Sequence, residues 1–367
     1  MNSELVYQVS LTLIPHIGPV QTKTLLEHFN SAASIFAAKT SQLQKIDGIG
    51  EARARAIRCF TDFSRAEEEV KFIGQHGITP LFMTDPIYPQ RLLNCPDAPA
   101  LLYYKGSADL NTSKIIAVVG TRNNTAYGKQ LAEQLIKELS DKNVLIISGL
   151  AFGIDAIAHK AALKNEMVTI GVLAHGLDQL YPTEHNSLAK EMIRNRGGLI
   201  TEFRKHTKPD KHNFPIRNRI VSGMSDAIVV VETGEKGGSM ITAELANGYN
   251  RDVFAFPGRV NDVKSIGCNS LIKNNKAILL TGADQLQETM NWIDRQKPAL
   301  RTQKTLFIEL SEDEKKVLNI LSEKANTHID ELNIKTGLSA STIASVILNL
   351  ELQNVIVSLP GKLYQLS

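Results

Sequence analysis

Residues 213–258 open Asn213-Phe214-Pro215-Ile216-Arg217-Asn218-Arg219 and continue into an apolar run, Ala227–Val231. Glu232-Thr233-Gly234-Glu235-Lys236-Gly237-Gly238-Ser239 follows, then a helical pattern to Asn250 and a second apolar run, Val253–Phe256, closed by Pro257-Gly258. A β-rich run that passes through glycines into a helix turns backbone N–H groups toward a phosphate in a parallel sheet. Here the glycine turn follows a segment dense in arginine. The stretch predicts a site for a polyanion, and the polyanion expected is a nucleic acid.

Outward from this stretch, strand and helix patterns alternate from Lys114 onward. Strands are expected at Ile115–Val119, Val144–Ile147, Val168–Leu173, Leu199–Phe203, Ala227–Val231, Val253–Phe256 and Ala277–Leu280. Continuous β-branched and aliphatic runs mean strands covered on both faces. Between them, Leu131, Leu135, Ile136 and Leu139 make one apolar helical stripe. The pattern predicts a doubly wound α/β domain with its site at the carboxyl ends of the strands. Four turns fall there: Gly120-Thr121-Arg122, Ser148-Gly149-Leu150-Ala151-Phe152-Gly153, His175-Gly176-Leu177-Asp178 and Thr233–Ser239. The first lacks the G-x-G-x-x-G spacing, and Ser148-Gly149 offers no acid for a ribose, so a dinucleotide cofactor is not expected.

The segment 204–219 carries Arg204, Lys205, Lys208, Lys211, Arg217 and Arg219 against the single acid Asp210. Guanidinium forks suit phosphate oxygens, and Asn218 can bond a sugar or a base edge. Phe214 reads equally as a stacking platform or as a helix anchor. His206 and His212 have no metal-ligand spacing and read as surface or phosphate-rim groups.

The rest of the chain sets bounds. Its 367 residues suggest two or three domains. With 43% hydrophobic and 22% charged residues it can build a core. A net charge of +3 identifies no partner. Cys59, Cys95 and Cys268 form no Cys-x-x-Cys pair, so neither a disulfide framework nor zinc is indicated. No apolar run reaches the ~18 residues of a membrane span, and no signal peptide is apparent. A cytoplasmic protein with no membrane partner and no cofactor is expected.

Residues 1–65 read as a helical domain in which Ile46-Asp47-Gly48-Ile49-Gly50, opening an Ala/Arg helix, looks like a helix-hairpin-helix element, with a degenerate copy at Ile17-Gly18-Pro19-Val20. Its glycines are expected to let the turn pack closely, with Arg53 and Arg55 near a helix start that could meet a backbone phosphate. Residues 66–113 form a transition with strands at Ile78–Met83 and Ala100–Tyr104, and belong with the sheet domain (66–293). Residues 294–310 read as a linker. From Ser311 a capping box and three helices precede a terminal hairpin, the pattern of a winged helix over 311–367. Its third helix, Ser339–Gln353, holds no Lys or Arg. That favours a protein contact over a duplex groove.

At these motifs the sequence resembles the DNA-processing protein A (DprA/Smf) family of bacterial natural transformation. The residues that carry the likeness are Val118-Val119-Gly120-Thr121-Arg122, Ser148-Gly149-Leu150-Ala151-x-Gly153-Ile154-Asp155-x-x-Ala158-His159, Gly176-Leu177-Asp178-x-x-Tyr181-Pro182, Phe214-Pro215-x-Arg217-Asn218-Arg219-Ile220, Gly237-Gly238-Ser239-x-x-Thr242-Ala243, Phe256-Pro257-Gly258 and Gly267-Cys268-Asn269-x-Leu271-Ile272. The resemblance implies an extended Rossmann-like domain that binds single-stranded DNA without sequence preference, protects incoming strands and helps load the RecA recombinase, as a homodimer and without catalysis. By motif, Arg122, Arg217 and Arg219 would hold phosphates. The turns Gly149–Gly153 and Gly237–Ser239 would offer amides, with Gly120, Thr121, Ser148, Gly238, Lys205, Lys211, Phe214 and Asn218 completing the site. Leu271, Ile278 and Leu280 would form the dimer interface. A different class is suggested by Gly237-Gly238-Ser239-Met240-Ile241-Thr242-Ala243-Glu244, similar to the G-G-x-G-T-x-x-E motif of nucleotide phosphoribohydrolases. There, Glu244 would act on an N-glycosidic bond.

Overall fold

Alternate residues of the central strands enter two different hydrophobic clusters. Ile115, Ala117 and Val119 pack with Ile147, Val172, Ile228 and Val230 on one face. Ile116 and Val118 pack with Ile146, Ala227 and Val229 on the other. A strand's side chains alternate in direction, so a run that is apolar at every position must be covered twice. This is the physical content of the uninterrupted β-branched stretches. In the computed structural model, residues 3–292, 310–324, 326–353, 355–359 and 362–366 are described. They group into two units, Met1–Trp292 and Ile293–Ser367.

The first unit opens with helices α1 (Ser3–Leu11), α2 (Pro19–His28), α3 (Ala32–Ala37), α4 (Thr40–Leu43), α5 (Gly50–Cys59) and α6 (Ser64–Gln75). Strands β1 (Thr79–Phe82) and β2 (Leu101–Gly106) follow, with the short α7 (Gln90–Leu93) between them. The winding then runs β3 (Ile115–Val119), α8 (Ala126–Glu138), β4 (Leu145–Ser148), α9 (Ile154–Lys164), β5 (Thr169–Val172), α10 (Asn186–Arg194) and β6 (Gly198–Thr201). It continues through α11 (Asn213–Met224), β7 (Ala227–Val230), α12 (Gly238–Gly248), β8 (Asp252–Ala255), α13 (Ile266–Lys273), β9 (Ile278–Leu279) and α14 (Ala283–Thr289). The strands lie in the order β1-β2-β6-β5-β4-β3-β7-β8-β9. From β6 to β9 the pairing is parallel throughout. At the other end β2 joins β6 antiparallel, and β1 joins β2 antiparallel. The chain order reverses between β3 and β7, which is the topological switch point where open α/β sheets hold ligands.

The helical segment does not stand apart from the sheet. One cluster of buried side chains runs from Leu5 and Ile57 through Leu81 and Leu102 to Leu271. In the hairpin before α5, Gly48 (φ 79°) and Gly50 (φ 59°) have left-handed backbone, and a Cβ on either would meet open space. The glycines therefore supply conformation rather than close packing. Arg53 donates to the carbonyls of Gly48 and His16, tying the two hairpins together, and Arg55 pairs with Glu51. Neither is left as a bare cation at the helix start.

The expected dimer residues divide. Leu271 and Leu280 are core residues, 1% and 0% exposed, because α13 packs on β8 and Leu280 donates its N–H to the Ala255 carbonyl of β8. Ile278 stands exposed on the edge strand together with Leu279.

The second unit holds α15 (Glu312–Glu323), β10 (Thr327–His328), α16 (Ile329–Thr336), α17 (Ala340–Leu352), β11 (Ile356–Leu359) and β12 (Leu363–Leu366), with strands in the order β10-β12-β11. This is a winged helix. Ser311 and Glu314 form the expected capping box on α15. The expected linker, apart from Leu310, and the Pro360-Gly361 turn lie outside the described residues.

Candidate nucleic-acid interface

Three of the four glycine turns and the start of α11 meet at the switch point. Thr121 and Arg122 after β3, Gly149 and Ala151 after β4, Phe214, Arg217 and Asn218 of α11, and Gly237–Ser239 at the start of α12 line one crevice of about 300 Å³. Arg122 and Arg217 thus share one wall. The turns interlock: Thr121 donates its N–H to the Glu232 carbonyl (2.7 Å), and Ile154 donates to the Thr121 carbonyl (3.2 Å). Gly153 has φ 75°, and a Cβ there would overlap that same carbonyl. Its role is to let α9 close against the turn that carries Arg122.

Not every predicted donor is free. Asp155 accepts from the N–H groups of Gly149 (3.2 Å) and Ala151 (3.3 Å), so the second turn spends those amides internally. The Ser148 hydroxyl donates to the Val118 carbonyl (2.6 Å) in the core. Burial pushes the Asp155 carboxyl above the usual carboxylate range, with Arg217 pulling against it. The α12 turn differs. Gly237 precedes it with no side-chain cap, and Gly237, Gly238 and Ser239 face the crevice. The Ser239 hydroxyl is turned inward, donating to Thr233 Oγ1 (2.8 Å). An uncapped helix start presents N–H groups and the positive end of the helix dipole.

The arginines separate by role. Arg217 is 5% exposed and donates through Nη1 to the carbonyls of Gly149 and Val172, and through Nε to Asn218 Oδ1 (3.1 Å). Burial lowers its pKa to about 10. It is a brace between the ends of β4 and β5. Asn218 completes the brace by donating to the Gly238 carbonyl (3.2 Å), so both ends of its amide are engaged within the protein. Arg219 is a correction: it points away from the crevice and pairs with Glu202 and the Asp97 carbonyl. Lys205 is another, held beside α6 by Glu68 and bonded through its own N–H to Glu69. Arg122 is exposed, with its guanidinium 5.0 Å from the Phe214 ring centroid. Lys208 and Lys211 border a neighbouring lobe of about 640 Å³ that shares Arg122, Phe214 and Asn218 with the crevice.

Sequence reasoning missed the aromatic rim. Tyr181 (46% exposed) and Phe152 (42% exposed) flank Phe214, with the Tyr181 and Phe214 centroids 6.3 Å apart. Two buried histidines steer them. His175 Nε2 accepts the Tyr181 N–H (3.1 Å), and the His185 ring packs edge-on against Phe152 at 5.0 Å. The missed signal was an aromatic residue just after a strand-end turn, Ala151-Phe152 and Gln179-Leu180-Tyr181. Lys236, at the crevice mouth, was also passed over. Glu244, the acid of the alternative enzyme reading, does not line the crevice. It pairs with Lys276 Nζ at 2.7 Å on the outer side of α12. Among the described residues no cluster of three or more His, Cys, Asp or Glu is arranged for a metal, and no helix is long and apolar enough to cross a membrane.

Behind the site, His159 is fully buried. Its Nδ1 meets Thr169 Oγ1 (2.7 Å), whose own proton goes to the Ile146 carbonyl, so the imidazole donates from Nδ1. Nε2 has no partner. Burial, reinforced by His185 and Arg217, lowers its pKa to about 3. The unfolded chain takes up this proton near pH 6.5 and the folded one does not, so stability falls as pH drops through that window. Between pH 7 and pH 5, His159 is expected to account for about 2 kcal/mol of lost stability. Urea unfolding at both pH values checks this: the His159→Asn variant should lose that much less than its parent.

Comparison with known proteins matches this architecture. Residues 79–291 fit the family model of DNA recombination-mediator protein A, residues 302–362 the DprA winged helix domain, and residues 9–70 a helix-hairpin-helix motif. Protein Smf of Synechocystis is 32% identical over 399 residues, covering 99% of each chain. The crystal structure of DNA processing protein A from Streptococcus pneumoniae superposes with a TM-score of 0.67 at 31% identity, covering 77% of this chain and 97% of that one. A second DNA processing protein A, from Helicobacter pylori, was solved for its single-stranded DNA binding mode; it gives a TM-score of 0.53 at 32% identity over 58% of this chain and 95% of its own. With a family model spanning the sheet domain and a relative matched from end to end, the chain belongs to the DprA/Smf family of DNA-processing proteins.

Proposed function

We propose that this protein binds single-stranded DNA in the switch-point crevice without reading its sequence. The observation that carries this is one rim that joins an exposed arginine, an uncapped helix start and three exposed or half-buried aromatic rings (Arg122, the start of α12, and Phe152, Tyr181 and Phe214). Phosphate is held by charge and amides, and unpaired bases by ring faces. The two buried polar side chains of the crevice are held by the protein itself: Asn218 is engaged at both ends of its amide, and Arg217 is braced on the Gly149 and Val172 carbonyls. The Helicobacter pylori relative, whose structure concerns single-strand binding, supports the reading.

In this role the protein shields an incoming strand and hands it to the RecA recombinase, as a homodimer. The recombination-mediator family supports the hand-over. The exposed Ile278 and Leu279 on the edge strand β9 support pairing with a second copy. The winged helix serves a protein contact. Leu348 (56% exposed) and Leu352 (73% exposed) on α17, a helix with no Lys or Arg, support that over a phosphate-lined groove.

Titrations of oligothymidylate, oligodeoxycytidylate and duplex DNA into the full chain, and into a form lacking 311–367, test the reading. Equal affinity for the two single strands, weaker duplex binding, and little change on truncation are expected. A strong base preference or a collapse on truncation would count against it.

A further inference from the structure

We propose that the strand continues past the crevice, over the start of α12, into an apolar trough where its further bases lie against Met240, Ile241 and Leu245. This inference rests on the single-strand reading above and extends its path. The trough measures about 850 Å³ and shares Lys236, Gly237 and Gly238 with the crevice. The two glycines put no side chain at the crossing, so a backbone held at the helix start can pass over it.

The trough wall suits bases rather than phosphates. Met240, Ile241, Leu245 and the Tyr249 ring form it, and the Tyr249 hydroxyl is already committed to Asp97 Oδ1 (2.6 Å). Ile241 is 42% exposed although it sits one turn from an anion site. Glu244 borders the trough, but Lys276 pairs with it. Lys236 stands at the mouth, where the sugar-phosphate chain would cross. The occupant that fits both halves is an unpaired strand: charge at the crevice, exposed base faces beyond it. A duplex has its bases turned inward and gains nothing from the trough, so this surface adds to the preference for single strands.

A ladder of oligothymidylates of increasing length, bound to the full chain and to Ile241→Gln, tests this. The shortest oligomers, filling only the crevice, should bind both proteins equally. On longer ones the variant should be about fivefold weaker, the loss of one aliphatic contact surface, with the salt slope unchanged because no phosphate contact is removed. Abasic substitution at the added positions should weaken the parent by a similar factor and leave Ile241→Gln unaffected. Equal affinities at every length, or a loss already present on the shortest oligomers, would overturn the path. Failure of the parent to bind any oligomer would instead sink the single-strand reading itself, and the path with it.

Discussion

Arg217→Met should unfold the protein more easily by about 3–5 kcal/mol, the range for breaking a buried charged network. The side chain is buried, and its Nη1 holds the carbonyls of Gly149 and Val172 at the ends of two adjacent strands. Methionine fills much of the volume but donates nothing. Two buried carbonyls would lose their donor, and Asp155 its nearest countercharge. Denaturant unfolding of parent and variant measures the loss directly. Binding should weaken as well, since the Gly149 turn and Asn218 would no longer be pinned. The salt dependence separates this from a phosphate role: a brace leaves the slope of log affinity against log salt unchanged, whereas a lost phosphate contact lowers it by about 0.7. A stable variant with a reduced slope would show that Arg217 meets DNA after all.

The contrast between Arg217 and Arg219 shows where sequence legibility stops. All nine strands of the main sheet lie where apolar runs predict them, and in the inner strands burial on both faces leaves a pattern that needs no partner to be read. The strand-end turns were legible for the same reason. Side-chain direction was not. Residues 217 and 219 sit two apart on α11, about 200° around the axis, so they cannot share a target. Which one faces the crevice depends on how α11 lies against β3 and β5, and no local pattern encodes that. Lys205 failed similarly, because its partner Glu68 lies on a helix far back in the chain. That helix, α6, was missed although Ala66, Val70 and Ile73 follow helical spacing; Glu69 occupies a buried position in it and accepts the Lys205 N–H. Leu271 and Leu280 show the limit for interfaces. An apolar residue at a sheet's end reads alike whether its cover is its own chain or a second copy, and here the cover is its own chain.

The complementary experiment removes the exposed cation. Arg122→Ala should leave stability within about 0.5 kcal/mol, as for most surface substitutions. Among the described residues Arg122 has no ion-pair partner, and it contacts Phe214 only through its guanidinium face. Single-strand affinity should nevertheless fall at least tenfold, because a charge-assisted phosphate contact is worth about 1.5–3 kcal/mol. The salt slope should drop by about 0.7. The loss should be the same on thymidylate and deoxycytidylate, since a guanidinium bound to phosphate reads no base. Arg122→Lys sharpens the point: it keeps the charge and therefore the slope, but loses the planar fork and the stacking on Phe214, so affinity should recover only in part. If Arg122→Ala binds as the parent does while Arg217→Met fails with a lowered slope, the roles assigned to the two arginines are reversed. If neither variant alters the slope, phosphate is held elsewhere, and the crevice at the switch point is not where the strand binds.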